Sequence, residues 1–110
     1  MMISANRLFL VLIGCLALPT LRAEDGHDAG LAAASEYRYG EALASFREVA
    51  AQGNRQAQLS AGGMLLYCER LYGKQIPCNN ANRAEALGWL RLAEAQGSEA
   101  AGYLLLHAGR

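Results

Sequence analysis

The sequence predicts an all-α fold, a short α-solenoid in which antiparallel helical hairpins stack side by side. One segment occurs twice at an offset of 44 residues, and eight of the 26 aligned pairs that begin at Glu41/Glu85 are identical. Both copies have apolar residues at helical spacing and end at a Gln-Gly pair, where a left-handed glycine can end a helix. No segment shows the alternating β-branched pattern of a strand.

About five helices are expected after an N-terminal signal segment, and their ranges are 29–38, 40–52, 54–72, 83–96 and 98–108. The very short turns after Gln52 and Gln96 require the flanking helices to pack antiparallel. An enlarged loop is expected at 73–82, and Asn82 with Glu85 resembles a capping box that opens the fourth helix. Four glycines inside the last three of these helices indicate close backbone contacts or modest stability, namely Gly62, Gly63, Gly88 and Gly102.

Residues 1–23 have the features of a secretory signal, because Arg7 precedes an apolar run and Ala23 is a small residue suited to cleavage. The run is shorter than the roughly 20 residues that span a bilayer as a helix. In a second interpretation, Leu12-Ile13-Gly14-Cys15 is a lipoprotein box and Cys15 is acylated. Both interpretations predict a periplasmic or secreted protein, with a flexible tail at 24–28 and the folded domain at 29–110.

Charge and cysteine content exclude some functions. The whole chain has no net charge, and without residues 1–23 it keeps eight Lys/Arg against ten Asp/Glu, so the basic face that nucleic acids require is not expected. Membrane attachment is expected only if Cys15 is lipidated. Cys68 and Cys78 form an even pair, which predicts one disulfide in an oxidising compartment. A redox or metal pair is the alternative, although CxxC and Cys/His spacings are absent.

Most of the chain from Tyr39 onward resembles a known repeat family. Ala57 to Tyr67 resembles the second helix of a Sel1-like repeat, written around A-Q-x-x-L-G-x-M-Y, and Ile76-Pro77 resembles the V-P of the family's loop. Ala84 to Gly97 resembles its A-x-A-x-x-W-Y-x-x-A-A-x-x-G helix, a slot that Tyr39 to Phe46 also fits. The chain is therefore similar to the Sel1-like branch of the tetratricopeptide superfamily. It departs from the family in its longer repeat and in Ala61, where leucine is usual.

The resemblance implies an exported adaptor that binds a protein or peptide and that is not an enzyme. It needs no metal or cofactor. The alternative is an envelope hydrolase or β-lactam-binding protein of the cysteine-rich Sel1-like type. Sequence motifs of catalysis such as GxSxG, HExxH and a glycine-rich phosphate loop are absent. The sequence does not specify the partner or the oligomeric state.

Candidate contact residues lie in the enlarged loop, because loops carry recognition more often than cores do. Tyr72, Lys74 and Gln75 are the predicted partner contacts. Trp89 and Tyr103 are expected instead to pack between the fourth and fifth helices. His107 in the last turn of the last helix has an expected structural or incidental role, since a cation is favourable there. The Asp25 to Asp28 segment, which includes His27, is expected to be a solvated acidic tail rather than a metal site.

Overall fold

The computed structural model describes residues 23–109, all of which lie in helices, turns or short connections. The helices within this range are α1 (Ala23–Ser35), α2 (Tyr39–Ala51), α3 (Arg55–Tyr67), α4 (Glu69–Tyr72), α5 (Asn80–Ala95) and α6 (Glu99–Ala108), with a 3-10 turn at Gly73–Gln75. The predicted all-α class is confirmed. Cys15 and the rest of the predicted signal up to residue 22 lie outside the described residues. In the part that is described, no helix combines the length and the apolar content needed to cross a membrane.

The two predicted hairpin turns are present with the expected chemistry. Gly53 and Gly97 both have a φ of +94°, the left-handed conformation that ends α2 and α5. The next helices are capped by side chains, because Asn54 accepts the Ala57 N–H at 2.8 Å and Ser98 accepts the Ala101 N–H at 3.1 Å. Helices α2 and α3 therefore form one hairpin, and α5 and α6 form a second.

The flexible tail expected at 24–28 is corrected by the structure. These residues form the first turns of α1, which packs along α2. Gly26 and Gly30 are buried, and the His27 ring lies 5.5 Å from the ring of Phe46. Two acidic residues in the first turn also favour a helix N-terminus electrostatically. Tertiary packing thus orders a segment whose local composition suggested a solvated tail.

The enlarged loop begins earlier and ends earlier than expected. Helix α3 ends at Tyr67, because Cys68 has a φ of +45° that a helix cannot contain. Helix α5 begins at Asn80, and its N-cap is Asn79, which accepts the Asn82 N–H at 2.8 Å. The predicted capping box at Asn82 is therefore wrong, since the Asn82 side chain donates instead to the Pro77 carbonyl. The last residues of the expected loop belong to α5.

The main apolar core runs between the hairpins. Its largest fully buried side chains are Leu65, Ile76, Leu90 and Leu105, whereas Val49 forms a small second cluster with Ala50 and Ala57. Ile76 comes from the enlarged loop and is 0% exposed, so the loop contributes directly to the core. Burying an isoleucine side chain is worth about 1.5–3 kcal/mol, which holds the loop against the helices.

Candidate functional site

Two of the three predicted contact residues hold the loop in place. The Gln75 side chain donates to the Tyr37 carbonyl at 2.9 Å and accepts the Gly40 N–H at 3.0 Å. The Tyr72 ring packs edge-on against Tyr39 at 4.9 Å, and burial raises the pKa of the Tyr72 hydroxyl. Gln75 and Tyr72 therefore join the loop to the α1–α2 connection. Lys74 is exposed, and it is the predicted contact residue that remains open to a partner.

The two cysteines lie at disulfide distance, as the sequence predicts, with sulfurs 1.94 Å apart. Cys68 is buried at the end of α3, whereas Cys78 is exposed just before α5. Glu69 reinforces the junction, because its N–H donates to the Cys78 sulfur at 3.1 Å and its carboxylate accepts the Cys78 N–H at 3.2 Å. The pair ties both ends of the loop together.

Beside this junction lies an open cleft, which we name the basic cleft. It consists of two adjoining cavities of about 420 and 400 Å³ that share Leu66, Arg70 and Arg83. The first cavity extends to the disulfide and to Asn79 and Asn80. The second extends to Leu71 on α4 and to the last turns of α6, where its lining residues are Leu104, His107 and Ala108.

Backbone carbonyls position both arginines of the basic cleft. Arg70 Nη2 donates to the Leu66 carbonyl at 2.8 Å, which is one of the free carbonyls at the end of α3. Arg83 Nη2 donates to the Ala108 carbonyl at 2.5 Å and so caps the end of α6. Each guanidinium has five N–H donors, so several remain for a ligand. Neither arginine pairs with a carboxylate of residues 23–109.

The remaining lining gives the basic cleft its chemical character. The imidazole of His107 lines the second cavity beside the two arginines. None of the residues that line either cavity is acidic. The leucines supply an apolar floor, of which Leu71 is 60% exposed. The arrangement is suited to binding a ligand that combines negative charge with an aliphatic group.

A second polar cluster joins α2 to α5. Arg47 and Glu85 form a bidentate ion pair, with N–O distances of 2.8 and 2.7 Å, and the Trp89 Nε1–H donates to the same carboxylate at 2.8 Å. The hydrogen bond from Arg47 is the main cause of a lowered pKa at Glu85. This cluster lines neither cavity, so its role is to hold the two hairpins together.

The other aromatic and histidine side chains singled out in the sequence have separate positions. Trp89 is partly buried and packs against Val49, Ala50 and Ala57 of α2 and α3, whereas Tyr103 is 62% exposed and lies against His107, with ring centroids 4.1 Å apart. The expectation that Tyr103 packs between two helices is therefore wrong. His27 has a buried Nε2 without a hydrogen-bond partner in the described part of the chain. Within residues 23–109, no group of three or more metal-ligating side chains is assembled.

The chain matches no protein-family model, no curated protein and no solved structure. Its function must therefore be inferred from its own residues. Arg70 and Arg83 are the site residues that the sequence reasoning missed. Their one sequence signal is their closeness to the cysteine pair, since Arg70 follows Cys68 by two positions and Arg83 follows Cys78 by five.

Proposed function

We propose that this protein is an exported binding module of the Sel1-like type, a short α-solenoid that holds a protein or peptide partner in its basic cleft. The observation that carries the proposal is the meeting of two open cavities at Arg70 and Arg83. An open, partly apolar concavity with a few oriented polar groups is the usual form of a binding site.

The way the helices assemble supports this proposal. Leu90 of α5 packs on Gly62 of α3, and Phe46 of α2 packs in the same manner on Gly30 of α1. The same contact thus occurs twice along the chain, as expected when similar helical units stack. Stacked helical units build extended surfaces to which partners bind. The basic cleft receives residues from α3, α4, α5 and α6 and from the segment that joins α4 to α5.

The exposed residues of the cleft also suit an interface. Arginine is enriched in protein interfaces and among the residues that dominate binding energy. Leu71, which is well exposed, lies beside Arg70 in the second cavity. An exposed aliphatic side chain next to an exposed arginine is a favourable place for a partner to bury surface.

Site-specific photocrosslinking tests the proposal in the cell envelope. Benzoylphenylalanine is introduced at Leu71 in the cleft, at Lys74 in the loop, and at Leu92 as a control. Leu92 is 51% exposed, similar to Leu71, and lines neither cavity. We expect one discrete adduct from the Leu71 probe, which excess protein without the probe should suppress, and mass spectrometry then identifies the partner.

The position of the adduct separates the possible sites. An adduct from Lys74 alone would move the binding site to the loop predicted from the sequence. Equal adducts from Leu71 and Leu92 would indicate nonspecific collision, and no saturable adduct at any position would refute the proposed function.

Export is part of the proposal and has its own test. An intact mass of the protein recovered from the envelope distinguishes a chain cut after Ala23 from one that begins at acylated Cys15. A chain that retains its first residues in the cytoplasm would contradict export.

A further inference from the structure

We infer that the basic cleft binds an acidic peptide segment, in which an aspartate or glutamate side chain reaches Arg70 and Arg83 while an adjacent aliphatic side chain rests on Leu71 and Leu104. This inference rests on the proposed function and names the chemistry of the partner.

The charge of the cleft lining differs from that of the domain as a whole. The described residues carry more acidic than basic groups overall, yet both cavities are lined by Arg70 and Arg83 and by no carboxylate, and His107 lines the second cavity. Arg70 and Arg83 both line the junction of the two cavities, and no carboxylate of the described residues pairs with either, so this junction favours an anionic group from a ligand. A carboxylate matches the planar fork of a guanidinium and accepts two parallel hydrogen bonds from it.

Both arginines of the cleft are held in position before a ligand binds. The Leu66 carbonyl holds Arg70 and the Ala108 carbonyl holds Arg83, so part of the rotational freedom of both side chains is already lost before a ligand binds. Ordering an arginine during binding normally reduces affinity, and a preformed position avoids that cost. These arginines also come from different helices, so a single carboxylate between them would bridge α4 and α5.

The shape of the cleft favours a peptide over an inorganic anion. Each cavity has a volume of about 400 Å³ or slightly more, within the range of about 300–1,000 Å³ typical of ligand sites. The floor of the second cavity is aliphatic, with Leu66, Leu71 and Leu104 beside the arginines. A free phosphate would leave this floor in water, whereas an aliphatic side chain next to the carboxylate would cover it.

Two blocked peptides serve as probes, one with a glutamate between two leucines and the other with glutamine in place of the glutamate. Each is titrated into the isotopically labelled protein, in the form to which cells process it, and the Nε–H resonances of Arg70 and Arg83 are followed by NMR. We expect both resonances to shift with the glutamate peptide, with at least about tenfold weaker binding of the glutamine peptide. Salt should weaken only the binding of the glutamate peptide.

Variants separate the cleft from general attraction. Arg70→Gln and Arg83→Gln should each weaken binding of the glutamate peptide about tenfold, whereas Arg91→Gln, at an exposed arginine outside the cleft, should leave it unchanged. Because Arg83→Gln also removes the cap of α6, Leu71→Glu is a second variant. It places a carboxylate at an exposed position in the cleft and should block binding without disturbing the cap.

The other outcomes would either overturn this inference or separate it from the proposed function. Equal binding of both peptides, or shifts that map away from Arg70 and Arg83, would overturn the inference. Displacement of the peptide by inorganic phosphate at matched ionic strength would identify a general anion site and also overturn it. If Leu71 crosslinks a partner but the arginine variants crosslink it equally well, the proposed function stands and this inference fails.

Discussion

Gly62 of α3 lies so close to Leu90 of α5 that a β-carbon on Gly62 would be 2.7 Å from Leu90 Cγ. The same β-carbon would lie 3.2 Å from the backbone carbonyl oxygen of Ala86. Because a backbone atom cannot rotate away, α3 and α5 would have to separate to admit even one methyl group. The packing of the two hairpins therefore depends on the absence of a side chain at this position.

Gly62→Ala should lower the free energy of unfolding by about 1–3 kcal/mol, the usual cost of inserting a methyl group into a packed core. Helix propensity alone predicts the opposite sign, since alanine is favoured over glycine within a helix. Urea denaturation followed by circular dichroism measures the difference.

Gly88→Ala is the matched control for Gly62→Ala. A β-carbon on Gly88 would meet no atom within 4 Å. This substitution should therefore raise the free energy of unfolding by about 0.5–1 kcal/mol through helix propensity. Stabilisation by both substitutions would show that α3 and α5 are not packed as described.

Gly30→Ala tests whether α1 belongs to the folded domain. A β-carbon on Gly30 would lie 2.5 Å from the ring of Phe46, which is itself buried. We expect a loss of about 1–3 kcal/mol in unfolding free energy, together with faster hydrogen exchange of the α1 amides. Unchanged stability would contradict the contact between Gly30 and Phe46, and unprotected amides at 24–28 in the natural protein would support the solvated tail predicted for those residues.

The hairpins could be predicted because their signals are local. A glycine that ends a helix, followed by Asn54 or Ser98 as a cap, specifies a turn without reference to the rest of the chain. The start of α5 was predicted wrongly because Asn79 and Asn82 are both suitable caps. The Pro77 carbonyl, which binds the Asn82 side chain, decides between them, and that contact is not visible in the local pattern.

The early start of the first helix and the basic cleft depend on contacts that sequence patterns do not encode. The tail was expected at 24–28, but Phe46 packs against Gly30 and the His27 ring lies near it, so the helix continues back to Ala23. A glycine in a helix can signal either close packing or weakness. Gly62 has the close contact and Gly88 does not, although both were interpreted alike. Arg70 and Arg83 meet only because the loop folds back, so neither was chosen as a site residue.

The ion pair between Arg47 and Glu85 should make stability depend on pH in the acidic range. Arg47 lowers the pKa of the Glu85 carboxyl below its ordinary value of 4.5, so the pair stabilises the fold fully above that pH. The stabilisation should be lost as pH falls through the lowered pKa of the folded state. Because both side chains are partly exposed, we expect a coupling energy of only about 1 kcal/mol at pH 7.

A double-mutant cycle with Arg47→Gln and Glu85→Gln measures this coupling energy in denaturation experiments at several pH values. Glutamine at position 85 keeps an acceptor for the Trp89 N–H, so the cycle isolates the ion pair. A coupling energy that stays constant well below pH 4.5 would mean that charge does not cause it.

Replacing both cysteines, Cys68→Ser with Cys78→Ser, should lower the free energy of unfolding by about 2–3 kcal/mol. The cross-link closes a short loop, with a sequence separation of 10, and the chain-entropy relation gives this magnitude. The effect should not be confined to global stability, because the loop carries the buried Ile76 and both cysteines line the basic cleft. Hydrogen exchange should therefore accelerate in the loop before it does in α3 and α5.

The natural protein treated with a phosphine reductant is the matched control, since it loses the cross-link without any change of side chain. It should reproduce the loop exchange of the double variant and should bind an acidic peptide more weakly, because the arginines lie on either side of the released junction. If reduction leaves loop exchange unchanged, then Ile76 and the Gln75 contacts to Tyr37 and Gly40 suffice to hold the loop. In that case the cross-link acts on the unfolded chain alone.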